Sequence, residues 1–135
     1  PSGMFANLAS LQEVTFGDGV TAIGDRAFAG TSLARVDLNQ VKTVGAEAFA
    51  DAGLTEVDTR AVEQIGADAF RDCVALTELA IPAHVTEIGN RAFSNCSNLR
   101  SITLPEGLTE IRDGTFSECI RLTALVLPER ITSIG

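Results

Sequence analysis

The chain has 135 residues, 45% of them apolar, with a formal net charge of −8 and an isoelectric point near 4.5. That is one domain's length with enough apolar material for a continuous core, and the acidity argues against phosphate backbones and anionic membrane surfaces as partners. The aromatic set is seven Phe with no Trp or Tyr, so the usual stacking residues of a carbohydrate groove are missing.

In chain order, the first landmark is Phe5. Phe28, Phe49, Phe70, Phe93 and Phe116 follow at spacings of 23, 21, 21, 23 and 23, and only Phe16 lies off the series. Each unit opens on a leucine: Leu11, Leu33, Leu54, Leu76, Leu99 and Leu122. Three and five residues later come Val14 and Phe16, Val36 and Leu38, Val57 and Thr59, Leu79 and Ile81, Ile102 and Leu104, then Leu125 and Leu127. The L-x-x-L-x-L element sends alternate residues inward, the period-2 pattern of a half-buried strand. One such strand cannot bury its face alone, so copies are expected to stack into a parallel sheet over one long core. Pro82, Pro105 and Pro128 follow the last three strands and mark their ends, because proline cannot donate to a ladder.

A second apolar pair closes each unit, from Val20 and Ile23 to Ile131 and Ile134. A glycine follows it in every copy except at Arg112. That glycine is expected to serve a turn. The Phe residues are expected to stack on their equivalents along the convex side. The two 21-residue units are shorter at two turns, where deletions are tolerated, and a local tightening without a break is expected there.

The candidates for chemistry are few. Cys73, Cys96 and Cys119 recur 23 apart. A ladder holds them side by side with no short metal-ligand spacing, so they read as buried thiols that act as small hydrophobes. His84, the only histidine, lies in a turn with no evident nucleophile beside it. No catalytic residue, metal site or cofactor is expected. A Thr column at Thr21, Thr86, Thr109 and Thr132 is interrupted by Lys42 and Glu63, which argues against an ice-binding face.

If the strands line a concave face, their outward side chains form columns, and the first four units present Glu13, Arg35, Asp37, Glu56, Asp58 and Glu78. These six are the candidate contact residues for a ligand. Residues 1–68 carry ten acidic and four basic side chains, and residues 69–135 carry eight and six. A charged partner is therefore expected to be basic and to prefer the N-terminal half. No apolar run approaches the ~20 residues of a membrane-spanning helix, and no signal peptide is visible.

The unit is clearest at 76–96, LTELAIPAHVTEIGNRAFSNC, and again at 99–119. It resembles the BspA-like, or Treponema pallidum type, leucine-rich repeats, whose signature reads roughly L-x-x-I-x-L-P-x-x-V-T-x-I-G-x-x-A-F-x-x-C. The first half departs from it: Leu8, Thr31 and Ala52 stand at the Cys position, and the strand-end Pro is absent. The resemblance implies an α/β-type repeat solenoid, a right-handed coil with a parallel β-sheet on one face and short strands and turns with little helix on the other. The ladder residues are then Phe5, Phe28, Phe49, Phe70, Phe93, Phe116, Cys73, Cys96 and Cys119. It also implies a non-catalytic protein-binding or adhesion module, with a host or matrix protein as partner, from a secreted or cell-surface bacterial protein. A structural spacer, or a targeting domain beside an enzyme or anchor, is the alternative. The chain reads as a single repeat domain over 1–135, about six copies with incomplete ends, from a longer array. Those ends are uncapped, so self-association through them is a further expectation.

Overall fold

A computed structural model describes residues 2–135. It contains no helix among the described residues, only short strands joined by turns. Five three-sided coils follow one another, 11–32, 33–53, 54–75, 76–98 and 99–121. They are preceded by the segment that carries Phe5 and followed by 122–135. One wall of the coils holds β2 (Arg35–Asp37), β4 (Glu56–Asp58), β6 (Glu78–Ala80) and β8 (Ser101–Thr103). A second wall holds β1 (Ala22–Ile23), β3 (Thr43–Val44), β5 (Gln64–Ile65), β7 (Glu87–Ile88), β9 (Glu110–Ile111) and β10 (Ser133–Ile134). The third wall is the Ala-Phe segment. As expected, parallel pairing on one wall faces short strands on another: the first wall holds the pairs β2–β4 and β6–β8, and the second a ribbon in two runs, β1–β3–β5–β7 and β9–β10.

Burial follows the repeat. Val36, Leu79 and Ile102 point inward from the first wall, while Arg35, Glu56, Glu78 and Ser101 are exposed. Leu33, Leu54, Leu76 and Leu99 are fully buried, as are Phe49, Phe70 and Phe93. A single apolar cluster runs from Ile23 to Cys119.

The Phe wall is the most regular part of the molecule. The rings of Phe5, Phe28, Phe49, Phe70, Phe93 and Phe116 stack in one file at 5.4–5.9 Å between centroids. Three backbone bonds cross each of its five junctions. At Phe49, for example, the amides of Glu47, Phe49 and Asp51 donate to the carbonyls of Ala67, Ala69 and Arg71. Two left-handed residues per coil, such as Glu47 (φ 53°) and Asp51 (φ 55°), turn the segment so that every second amide faces the next coil. The cost of a left-handed non-glycine residue is met at Arg26, Glu47, Asp68 and Arg91, while the flanking coils use Gly3 and Gly114.

The glycine after Ile or Val has a different reason from the one expected. Gly45, Gly66 and Gly89 have no left-handed backbone. Instead the neighbouring coil presses on them: a Cβ on Gly66 would stand 2.7 Å from both the Ala46 nitrogen and the Gly45 carbonyl carbon. The second ribbon confirms the point where the glycine is lost. It pairs without interruption from β1 to β7 and resumes only at β9–β10, and the unpaired junction is the one at Arg112. There the side chain spans the gap, with Nη1 3.0 Å from Glu87 and Nε 2.7 Å from Glu110.

The length changes do more than tighten the coil. On the first wall β2 pairs with β4 and β6 with β8, but β4 and β6 do not pair, and residues 13–15 form no strand beside β2. These two gaps fall where the return after the strand changes length, whereas a third, between β8 and residues 124–126, lies between returns of equal length, Leu104 to Leu108 and Leu127 to Ile131. Leu38 to Val41 and Thr59 to Val62 are one residue shorter than Phe16 to Val20 and Ile81 to Val85. The two strand pairs that do form, β2–β4 and β6–β8, each join units with equal returns. One side-chain bond bridges the second gap, Thr59 Oγ1 donating to the Ala80 carbonyl at 2.8 Å.

Candidate binding face

The six residues chosen from the sequence lie on the first wall. β2 and β4 place Arg35 beside Glu56 and Asp37 beside Asp58. Glu78 stands on β6 and Glu13 on the unpaired stretch before β2. The cross-strand pair Arg35–Glu56 closes at 3.2 Å, but both side chains are more than 60% exposed, so it adds little stability. Glu13, Asp37 and Glu78 are the carboxylates of this set without an ion-pair partner among the described residues.

Asp37 and Asp58 do a second job. The Asp37 carboxylate accepts from the Asn39 amide at 2.9 Å, and Asp58 accepts from the Arg60 amide at 3.1 Å. Each therefore satisfies the backbone N–H two residues past the strand. In the next three units that position is Pro82, Pro105 or Pro128, which has no N–H to satisfy. Aspartate and proline are two answers to one orphan donor. The Arg60 guanidinium also closes on Asp58 in a two-pronged ion pair, and that hydrogen bond holds the Asp58 carboxyl below the usual carboxylate range.

Three open clefts lie along this wall, each at an unpaired strand junction. The first, about 320 Å³, lies between residues 13–16 and β2. The second, about 460 Å³, lies between β4 and β6. The third, about 360 Å³, lies between β8 and residues 126–129.

The thiols line up as expected and do more than fill space. Cys73, Cys96 and Cys119 are all buried and unbridged. Their S–H groups donate to the carbonyls of Phe49, Phe70 and Phe93 in the coil before, at 3.1–3.2 Å. Burial pushes the Cys73 thiol up to about 12 and raises Cys96 and Cys119 as well. Thr31, at the same place, bonds within its own coil to the Phe28 carbonyl. His84 is exposed on the return of its coil. No His, Cys, Asp and Glu cluster suited to a metal occurs among the described residues.

One network was missed in the sequence. The left-handed column carries Arg26, Glu47, Asp68 and Arg91, and Arg91 Nη2 sits 3.0 Å from the buried Asp68 carboxylate. Arg71 joins Glu47 at 3.7 Å to Asp68 at 3.4 Å. The signal was available as a charged column one place before the Ala-Phe pair.

Comparison with known proteins follows the same repeat. The family described as BspA type leucine rich repeat region (6 copies) matches residues 1–73 and again 63–135. Among curated proteins none matches. Of solved structures, a leucine rich cell surface protein of Faecalibacterium prausnitzii A2-165 is 29% identical (TM-score 0.62), with 99% of this chain and 46% of that one covered. A leucine-rich repeat protein of Eubacterium ventriosum is 27% identical (TM-score 0.82; 93% and 35% covered). The T. pallidum leucine rich repeat protein is 28% identical (TM-score 0.68; 94% and 73%). The chain thus spans about half or less of the first two.

Proposed function

From the premise that this chain belongs to the BspA-type leucine-rich repeat family, we propose that it is a non-catalytic protein-binding module of a bacterial surface or secreted protein, working in adhesion. One observation supports this best: the first wall holds exposed side-chain columns over a buried core, in cross-strand register within each of its two strand pairs. Such a surface loses little ordering entropy when a partner docks. The partner surface is basic toward the first coils, where Glu13, Asp37, Glu56, Asp58 and Glu78 outnumber Arg35 and Arg60. The cell-surface description of the F. prausnitzii relative agrees with this placement. Among the described residues, the three thiols are buried with their protons held and His84 is exposed, so neither forms an activated nucleophile.

The test is a charge reversal that spares the two turn-forming aspartates. Glu13→Lys/Glu56→Lys/Glu78→Lys should weaken binding to immobilised collagen, laminin or fibronectin by at least about tenfold, with thermal stability unchanged within roughly 1 kcal/mol. Biolayer interferometry of both proteins at two salt concentrations reads it. Binding that survives the reversal, or no binding to any of the three by the native chain, removes the proposal.

A further inference from the structure

The cleft between residues 13–16 and β2 differs from the other two in what lines it. Between β4 and β6 the carboxylates are already engaged, Glu56 by Arg35 and Asp58 by Arg60. The cleft beside β8 carries two carboxylates, Glu106 and Glu129, on mainly apolar walls, with no ring and no side-chain amide. The first cleft, about 320 Å³, has carboxylates, amides and a ring together. Its Glu13 and Asp37 have no ion-pair partner among the described residues. The one arginine in its lining, Arg35, is held 3.2 Å from Glu56, which lies outside the cleft. Asn39 and Gln40 add side-chain carbonyls. Asn39 already donates through Nδ2 to Asp37 at 3.2 Å, which leaves its oxygen free to accept.

The ring is Phe16, the one phenylalanine outside the file. Later coils put Leu38, Thr59, Ile81, Leu104 or Leu127 at its place. Phe28 is stacked on both faces, by Phe5 at 5.4 Å and by Phe49 at 5.6 Å, so Phe16 meets it at the edge, 5.8 Å away and tilted by 61°. No other ring lies against Phe16 among the described residues, and it stays half-buried on the cleft. A guanidinium suits this lining. It carries five N–H donors and no acceptor. It is planar and weakly hydrated, and it lies on an aromatic face while its fork reaches carboxylates. An ammonium gains the carboxylates but less from the ring, and the cleft beside β8 offers it as much.

We propose that this cleft receives one arginine side chain of the partner protein, its guanidinium laid on Phe16 and bonded to Glu13, Asp37 and the side-chain carbonyls of Asn39 and Gln40. The inference rests on the binding-face reading above and names the side chain that the face selects. It is tested by nuclear magnetic resonance on the isotope-labelled chain, titrated with Nα-acetyl-arginine methylamide and with the lysine counterpart. The arginine probe should shift the amides of Phe16, Asn39 and Gln40 saturably and bind at least about threefold more tightly than the lysine probe. Phe16→Leu, which installs the residue that three other coils carry there, should erase that preference. Glu13→Gln should weaken both probes and leave the preference for arginine in place. Equal affinities for the two probes, a preference that survives Phe16→Leu, shifts centred on Glu106 and Glu129, or no saturable shift overturns the pocket. If the pocket fails in this way while the triple reversal still weakens matrix-protein binding, the face stands without it. If the triple reversal leaves matrix-protein binding intact, the face itself falls and the pocket with it.

Discussion

The Phe wall and the first strand wall belong to the same coils, yet they are held by different means. The Phe wall carries three backbone bonds at every one of its five junctions, a file of stacked rings and a column of thiol donors. The strand wall pairs in two isolated couples and opens a cleft at each remaining junction. The difference teaches where a repeat protein needs uniformity. Stacking free energy comes from contacts between neighbouring coils, and one unbroken wall is enough to hold them. The other wall is then free to vary its loop lengths and its exposed side chains.

The sharpest way to break this comparison is to cut the file of rings. Phe70 is fully buried and stacked at 5.6 Å on Phe49 and 5.7 Å on Phe93. Phe70→Ala leaves a cavity in the wall that holds the stack and should cost ~3–5 kcal/mol. That is a large part of the roughly 5–15 kcal/mol expected of a small domain. Urea denaturation followed by circular dichroism reads it. A loss below about 1 kcal/mol, no more than an exposed substitution on the strand wall gives, would show that the two walls share the load equally.

A smaller effect comes from the second ribbon. Gly66→Ala drives a Cβ against the backbone of Ala46 and Gly45, and the coils must part locally, at ~1–3 kcal/mol. Gly107 is the internal control: its nearest neighbour to an added Cβ is the Ala83 carbonyl oxygen at 3.9 Å. Gly107→Ala should be neutral or stabilising by a few tenths of a kcal/mol, through the unfolded chain. Equal losses at both positions would refute close approach as the reason for the glycine column.

Much of this was legible from period alone. The Phe spacing placed six rings in one file, and the Cys spacing placed three thiols in one column, because stacking turns sequence period directly into spatial contact. Two things were hidden. The gap between β4 and β6 falls between returns of different length, so it is a property of two units compared, not of either one's pattern. The acidic column also mixed two roles: Asp37 and Asp58 read as a ligand face, while their carboxylates also cap turns that proline handles elsewhere. The sequence carried that clue in the exclusion of Asp by Pro two residues on, but only turn geometry gives the exclusion a meaning.

The thiol column offers the finest probe of the Phe wall, through alkaline pH. The folded state raises the Cys73 thiol to about 12 from an ordinary value of 9.0, chiefly by burial, and raises Cys96 and Cys119 by the same cause. Below pH 9 both folded and unfolded chains keep these protons, so stability does not change with them. Above pH 9 the unfolded chain releases protons that the folded chain retains, and stability must fall as pH rises toward 12. At pH 10 the loss is about 1 kcal/mol for a thiol shifted as far as Cys73. The chain has one lysine and no tyrosine, so few other groups titrate in that window. Denaturation curves at pH 8, 9 and 10 should show the decline in the native chain and a much flatter profile in Cys73→Ala/Cys96→Ala/Cys119→Ala, even though that variant starts lower at pH 8. Native thiols should also resist iodoacetamide at pH 8 while the Phe wall is closed. Parallel pH profiles for the two proteins would mean that the folded chain does not hold these thiols protonated by burying them.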